Sequence, residues 1–302
     1  VVFLRPLGLR LAALGAVDFL MWVVTGISTG LTQGFSIQLS QYYGAKDFEN
    51  LRKSLAHSYR LTAFIAAGVL ILSQSFASLV LTGLHTPSNI IGMSLLYLRI
   101  IFCGIPATAA YNMFASALRA MGNSKTPLTA MIIASVLNVS LDILFVAGFG
   151  WGVAGAAIAT VIAQSFSAVY CFLILRRIDI VHLTRADFMP ASGMNARLMK
   201  LGIPVVFQNI IIGVGGLVVQ YVINGYGFLF VAGFTATNKL YGLLEMAAIS
   251  YGYAIVTYVG QNLGAGKIDR IRKGVRSSML LSLLTSLIIS AAMFLFGKNI
   301  LS

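Results

Sequence analysis

An asparagine and an aspartate stand one helical turn apart inside an otherwise apolar stretch of the chain, at Asn138 and Asp142. The four-residue spacing places the two side chains on the same face of a helix. Such a pair can hold Na⁺ through hard oxygen ligands, or the carboxyl can hold a proton once it is removed from water. The structural alternative is a buried aspartate that only hydrogen-bonds a neighbouring helix. Because no basic residue lies within a turn of Asp142, we favour a binding role.

The composition indicates that this pair lies in a membrane. Of 302 residues, 58% are apolar and 10% are charged, whereas a soluble domain has roughly 45–50% apolar and about 25% charged residues. A spanning helix needs about 20 apolar residues, and the stretches here are too long and too uniformly apolar for barrel strands. We therefore predict an all-α integral membrane protein, a polytopic helical bundle. The predicted spans are 16–42, 59–80, 88–118, 126–148, 152–175, 201–225, 230–259 and 275–297.

Acidic residues inside these spans are functional candidates, because an ionisable group is costly to place in a bilayer. Besides Asp142 they are Asp18 and Glu245. Asp18 stands near the end of its helix, where water or headgroups can solvate it, so we interpret it as an interface residue. For Glu245 two roles stay open: it lines a cavity and attracts a cationic substrate, or it pairs with an Arg or Lys of another helix.

The basic residues orient the chain. Most of its 21 Lys and Arg residues, which give a net charge of +13, fall in four alternate loops, and the loops between them at 84–90, 148–152 and 224–229 have none. This is the positive-inside pattern, so we expect the basic loops to be cytoplasmic. This pattern accounts for the positive net charge, so nucleic-acid binding is not needed to explain it. The four loop segments are 46–60, 119–125, 176–200 and 267–276.

Two basic segments are copies of each other. Gln41, Gly44 and Ala45 recur 220 positions later, and each copy follows a long helix containing glycine and precedes another span. Both copies lie on the basic side, which predicts two parallel repeats related about an axis along the membrane normal. We divide the chain into a first lobe at 1–175, a linker at 176–200 and the start of a second lobe at 201–302.

Glycines recur every four residues in the first complete span, at Gly26, Gly30 and Gly34. This spacing lets membrane helices approach closely, and we prefer that interpretation. Helix bending during a conformational change is the alternative.

Four motifs together resemble the multidrug and toxic compound extrusion (MATE) family, in the family's own order and over nearly the whole chain. They are Gln41–Lys46, Ser116–Pro127, Gly152–Thr160 and Val259–Ala265. The resemblance implies the fold of the MOP superfamily, with two pseudo-symmetric six-helix lobes. The eight spans then match the family's helices 2 to 9. Because the chain starts at Val1 rather than Met, we expect a fragment that lacks most of helix 1, with a remnant at 1–14, and helices 10 to 12 of an incomplete second lobe.

The resemblance also implies a set of site residues. In the family a first-lobe cation site joins an Asp and an Asn of helix 5 to a Thr of helix 6, a Tyr of helix 4 and an Asp of helix 1. The helix 1 Asp would precede Val1, so the site is expected to be incomplete. The matching positions here are Asp142, Asn138, Thr160 and Tyr97. Helix 7 has no carboxylate here, unlike in some members, and we predict substrate-cavity residues at Gln208, Asn238 and Glu245.

The function that follows is secondary active multidrug efflux, with cationic or amphipathic drugs exchanged for H⁺ or Na⁺ by alternating access. The alternative is a flippase of the same superfamily that moves a lipid-linked sugar or another amphiphile. An intramembrane enzyme is not favoured, since the three histidines stand apart. We expect a multi-pass protein of the cell membrane whose partners are small molecules and the lipid bilayer, with no nucleic acid, no obligate protein partner and no cofactor beyond the coupling ion.

Overall fold

A computed structural model of the chain describes residues 18–83, 88–224 and 228–301. Within these ranges the backbone is almost entirely helical, and the remnant predicted at 1–14 lies outside them. We number the α-helices in chain order. They are α1 (Asp18–Gly44), α2 (Phe48–Gly83), α3 (Ser88–Cys103), α4 (Ile105–Ala120), α5 (Lys125–Asp142), α6 (Gly152–Arg176), α7 (Met194–Asn224), α8 (Phe228–Gly264) and α9 (Ile268–Leu301).

The helices confirm the prediction of a helical membrane bundle. Among the described residues, five helices are long and apolar enough to cross a bilayer, and the bent pair α3 and α4 makes a sixth if it counts as one span. Each apolar stretch predicted from the sequence coincides with one helix or with this pair, although α1 and α8 are not among the six. Only helices and closed barrels satisfy every backbone polar group in lipid, so the chain is a multi-pass membrane protein.

The stretch at 88–118, predicted as one element, is two helices that meet at a bend of 44°. Gly104 separates them, and Pro106 stands in the first turn of α4, where its missing N–H would have had no partner in the helix. A Cβ on Gly104 would lie 2.7 Å from Cγ2 of Val161 on α6. The absence of a side chain at Gly104 therefore lets the chain approach α6 closely at this bend.

The segment predicted as the linker, residues 176–200, contacts α2. It carries two short 3₁₀ helices, Asp179–Val181 and Arg185–Phe188. Arg60 donates a hydrogen bond from Nη1 to the carbonyl oxygen of Phe188, at 3.0 Å. The buried Asp187 lies 3.8 Å from Nε of Arg52 and accepts from the backbone and hydroxyl of Thr184. Helix α7 already begins at Met194, while the proposed division into lobes and linker stays a prediction.

The glycine pattern of α1 is a packing surface. A Cβ on Gly34 would overlap the backbone of Gly202 on α7, and one on Gly30 would lie 2.9 Å from Cα of Val206. Asn209 of α7 donates a hydrogen bond from Nδ2 to the carbonyl oxygen of Gly26, at 3.1 Å. The packing interpretation is supported at Gly30 and Gly34, where any larger residue would push the two helices apart. A Cβ on Gly26 would make only an ordinary contact, 3.5 Å from Cβ of Asn209.

The larger of two buried apolar clusters lies towards the basic loops, while many large apolar side chains of the described residues face outward. Phe35, Leu55, Met113 and Leu198 belong to one buried cluster near those loops. Val136 on α5 and Ile288 on α9 are by contrast 64% and 69% exposed. In a bilayer such side chains contact lipid, which is as apolar as they are.

Candidate functional site

The structure brings together two of the four predicted cation-site residues directly. Nδ2 of Asn138 on α5 lies 3.5 Å from Oγ1 of Thr160 on α6, and both side chains are half-buried. The Thr160 hydroxyl donates to the carbonyl oxygen of Ala156, at 3.0 Å. Because its proton is engaged there, the Thr160 oxygen keeps its lone pairs for Asn138 or for a bound cation.

Asp142 lies one helical turn beyond Asn138 and is also half-buried. Its Oδ1 atom is closed off from solvent, and within the described part of the chain it has no hydrogen-bond partner. A carboxylate oxygen that is buried and unpaired is strongly unfavourable unless a proton or a cation reaches it. Carboxylate, amide and hydroxyl oxygens are ligands that hard cations prefer, and the assignment of these three residues to a cation site stays a prediction.

The backbone changes its hydrogen-bonding pattern at Asp142. Helix α5 ends there, and residues Ile143–Gly148 continue as a π-helix. Single π-helical turns occur frequently at functional sites, because they interrupt the regular ladder and redirect side chains. Phe145, inside this turn, stacks on Phe149 and on Trp151 just beyond it, with ring centroids 6.0 and 5.0 Å apart. This turn gave no recognisable signal in the sequence.

Tyr97, the fourth predicted member, is half-buried on α3 and packs against an apolar cluster that includes Leu81, Leu98 and Phe102. Its helix contacts α6, the helix that carries Thr160. The assignment of Tyr97 to the cation site stays a prediction.

The predicted substrate-cavity residues belong to α7 and α8. Gln208 is exposed and Glu245 is half-buried, while the side chain of Asn238 lies outside what the structure describes. The side chain of Asp18, the first residue of α1, also lies outside what the structure describes. Asn209, which the sequence did not single out, is the residue next to Gln208 that ties α7 to α1.

The two copies of the repeated segment contact each other. A Cβ on Gly44 would overlap the carbonyl of Gln261, and a Cβ on Gly264 would overlap the carbonyl of Gln41. The contact is therefore nearly symmetric and depends on glycine in both copies. The sequence revealed the repeat but not that its copies meet, although the paired glycines were a signal of close approach.

Two side chains reinforce this contact. Gln261 donates a hydrogen bond from Nε2 to the carbonyl oxygen of Ala120 at the end of α4, at 2.8 Å. The guanidinium of Arg119 lies over the ring of Tyr253 on α8, 4.5 Å from its centroid, and donates to Oγ of Ser116. A cation over an aromatic face is attractive, and more so when both are shielded from water. Helices α1 and α4 are thus joined to α8 on the basic side of the bundle.

Comparison with known proteins identifies the family. A family model described as MatE matches residues 8–144 and 204–302, and the chain belongs to this MATE family, as the motifs predicted. It is 32% identical over 262 residues to YpnP, a probable multidrug resistance protein of Bacillus subtilis (strain 168), covering 86% of this chain and 59% of the relative. It is 26% identical over 299 residues to YoeA, another probable multidrug resistance protein of that organism, covering 96% of this chain and 65% of the relative.

The chain thus spans about three fifths to two thirds of the length of these two relatives. A solved structure described as the outward-facing conformation of a multidrug resistance MATE family transporter of the MOP superfamily superposes with a TM-score of 0.86, at 19% identity. The match covers 97% of this chain and 66% of that one. The predicted fold is therefore confirmed.

Proposed function

We propose that the protein is a secondary active exporter that moves cationic or amphipathic drugs across the cell membrane in exchange for H⁺ or Na⁺. Membership of the MATE family and the multidrug resistance proteins among its relatives support the transport of small molecules. The observation that carries the coupling is the shielded, unpartnered Oδ1 of Asp142, one turn from the Asn138–Thr160 pair.

The coupling ion occupies this site in the proposed mechanism. Asp142 supplies the negative charge, and the oxygens of Asn138 and Thr160 complete the ligand set when the ion is Na⁺. With H⁺, the proton resides on the Asp142 carboxyl, and the same neighbours orient it. In both cases binding of the ion removes the unfavourable charge from the bundle, which changes the relative stability of the conformations open to either side.

Alternating access depends in this proposal on the contact between the repeated segments. When Gly44 and Gly264 lie against the opposite backbones, the basic side is closed. This arrangement agrees with the outward-facing description of the structural relative, provided that the basic loops are cytoplasmic, as the positive-inside rule indicates. Opening to the cytoplasm then requires the two copies to separate, with Arg119 leaving the ring of Tyr253.

The test is drug-induced cation exchange by the full-length protein in proteoliposomes, with H⁺ and Na⁺ gradients imposed separately and ethidium as the drug. We expect exchange to follow one gradient and to vanish in Asp142→Asn, because the amide can neither hold a proton nor bind Na⁺ as a carboxylate does. Asp179→Asn is the matched control, since Asp179 is exposed in the linker. Normal exchange by Asp142→Asn would make this aspartate structural and the proposed coupling wrong.

A further inference from the structure

A groove on the outer face of the first lobe lies between α2, α4 and α6 and has a volume of about 390 Å³. It is far more apolar than polar, and five alanines line it where larger side chains would have filled the space. Ala63, Ala67 and Pro106 are exposed along its open side. None of the predicted cation-site or substrate-cavity residues lines it.

The groove opens towards lipid. Phe64, which neighbours Ala63 on α2, is 80% exposed, and Leu173, which neighbours the groove residue Phe172 on α6, is 49% exposed. In a membrane-spanning bundle such outward apolar side chains contact hydrocarbon. An occupant therefore enters from the bilayer rather than from water.

The length of the groove matches one leaflet. Its lining runs along α2 from Tyr59 to Leu70, a distance of about 16 Å at the helical rise of ~1.5 Å per residue. Half of a typical hydrocarbon core is about 15 Å thick. Since Arg60 is the last charged residue of α2 before its apolar run, the groove begins at the interface on the basic side and extends to mid-membrane.

Aromatic rings form its wall at the interface. Tyr59 and Phe114 meet edge to face, with centroids 5.4 Å apart, and Phe114 lies 5.2 Å from Phe172. Tyr and Trp are enriched at this depth of membrane proteins, as Tyr59 would be here. The rings mark where an acyl chain would end and a headgroup begin.

Two arginines lie next to lining residues at this end of the groove: Arg60 follows Tyr59 in the chain, and Arg176 lies near Phe172. The guanidinium of Arg176 lies 5.8 Å from the ring centroid of Phe172, and Arg177 follows it; both are exposed. Arg60 is exposed as well and uses Nη1 for the carbonyl oxygen of Phe188. A guanidinium has five N–H donors in a fork that matches phosphate, so Arg60 can bind the linker and a phosphate together.

We propose that the groove binds an anionic phospholipid of the basic-side leaflet, with one acyl chain along α2 and the phosphate between Arg60 and Arg176. Basic pockets between membrane helices are known to bind anionic headgroups. Through Arg60 the lipid also holds the linker against α2, because the same guanidinium contacts Phe188. The site is independent of the transported substrate and of the coupling ion.

Native mass spectrometry of the purified full-length protein tests this proposal. The probes are phosphatidylglycerol and phosphatidylethanolamine with identical acyl chains, added to delipidated protein. We expect phosphatidylglycerol to bind at least fivefold more tightly, and Arg176→Gln to weaken it roughly fivefold, the effect of one basic charge near a membrane surface. The charge-matched control Arg272→Gln, exposed on α9, should bind like the wild type.

A second variant tests the apolar part. Ala67→Trp fills the groove and should remove bound phosphatidylglycerol, whereas Val136→Trp, on the exposed face of α5, should not. Equal binding of the two lipids by the wild type, or unchanged binding in both Arg176→Gln and Ala67→Trp, would contradict the proposal. If Ala67→Trp instead abolishes a dimer without affecting lipid, the groove is an interface with a second copy and the proposal is wrong.

Discussion

The contact between the repeated segments and the surroundings of Asp142 differ in how completely their groups are satisfied. At the contact, Gly44 and Gly264 let two backbones touch, and Gln261 and Arg119 have defined partners. Around Asp142 a carboxylate oxygen is shielded without a partner, and the helix changes from α to π. A fully packed contact has one arrangement and can serve as a closure, whereas an unsatisfied buried polar group can be completed by a water or an ion. The two regions therefore have different roles in the proposed cycle.

The largest effect should come from adding one methyl group at the contact. Gly44→Ala places a Cβ against the Gln261 carbonyl, so the repeats cannot meet and the basic side stays open. We expect at least a tenfold loss of drug exchange in proteoliposomes. Gly68→Ala on α2 is the control, because nothing lies within 4 Å of its Cβ. If the two variants transport equally well, close approach at Gly44 is not needed.

At the site around Asp142, transport should depend on which polar atoms the side chains carry rather than on side-chain size. Thr160→Val keeps the shape of the side chain but removes the oxygen that faces Asn138. A lost hydrogen-bonding group of this kind is worth about 1–3 kcal/mol, so we expect roughly tenfold weaker activation of exchange by the cation. Thr160→Ser retains the oxygen and should stay near the wild type. A large defect in Thr160→Ser with a small one in Thr160→Val would reverse our interpretation.

A substitution that disturbs the packing between α1 and α7 should lower the thermal stability of the protein. Gly30→Leu must push Val206 away, and overpacking of this kind costs typically ~1–3 kcal/mol. We expect a thermal unfolding midpoint several degrees lower in detergent, while Gly92→Leu, with open space around its Cβ, keeps the wild-type value. An unchanged midpoint in Gly30→Leu would contradict this, because it would mean that α1 and α7 can move apart at Gly30 without a loss of stability.

The smallest effect should come from Gln261→Ala. It removes the bond to the Ala120 carbonyl but leaves both glycines in contact, and one such hydrogen bond contributes only about 0.5–1.5 kcal/mol. We expect exchange within threefold of the wild type, measured beside Asn262→Ala, whose amide donates to the carbonyl oxygen of Tyr258 in the same helix. A loss as large as that of Gly44→Ala would mean that the glutamine, rather than the glycines, determines the contact.

The features that the sequence predicted depend on local periodicity. The spacing of Asn138 and Asp142 fixes a shared helical face, and the spacing of Gly26, Gly30 and Gly34 indicated a packing face before a partner helix was known. Thr160 entered through the family resemblance, and the structure places it within 3.5 Å of Asn138.

The features that it missed arise from long-range packing. The break between α3 and α4 does have local signals in Gly104 and Pro106, whereas nothing local distinguishes the π-helical turn after Asp142. Likewise the repeat at Gln41 and Gln261 was visible as a duplication, but the contact between its copies forms only when α1 and α8, which are distant in sequence, pack together. Sequence patterns thus predicted which groups are present, and the tertiary structure determines which of them meet.

Binding of the coupling ion to purified protein tests the central claim most directly, because it needs neither drug transport nor a closed vesicle. Radioactive Na⁺ binding and drug-induced proton release would be measured for the full-length wild type, Asp142→Asn and Asp179→Asn. We predict that one of the two signals is present in the wild type and in Asp179→Asn and absent in Asp142→Asn. An unchanged signal in Asp142→Asn would contradict the account, since the ion would then bind without the carboxylate on which the proposed site depends.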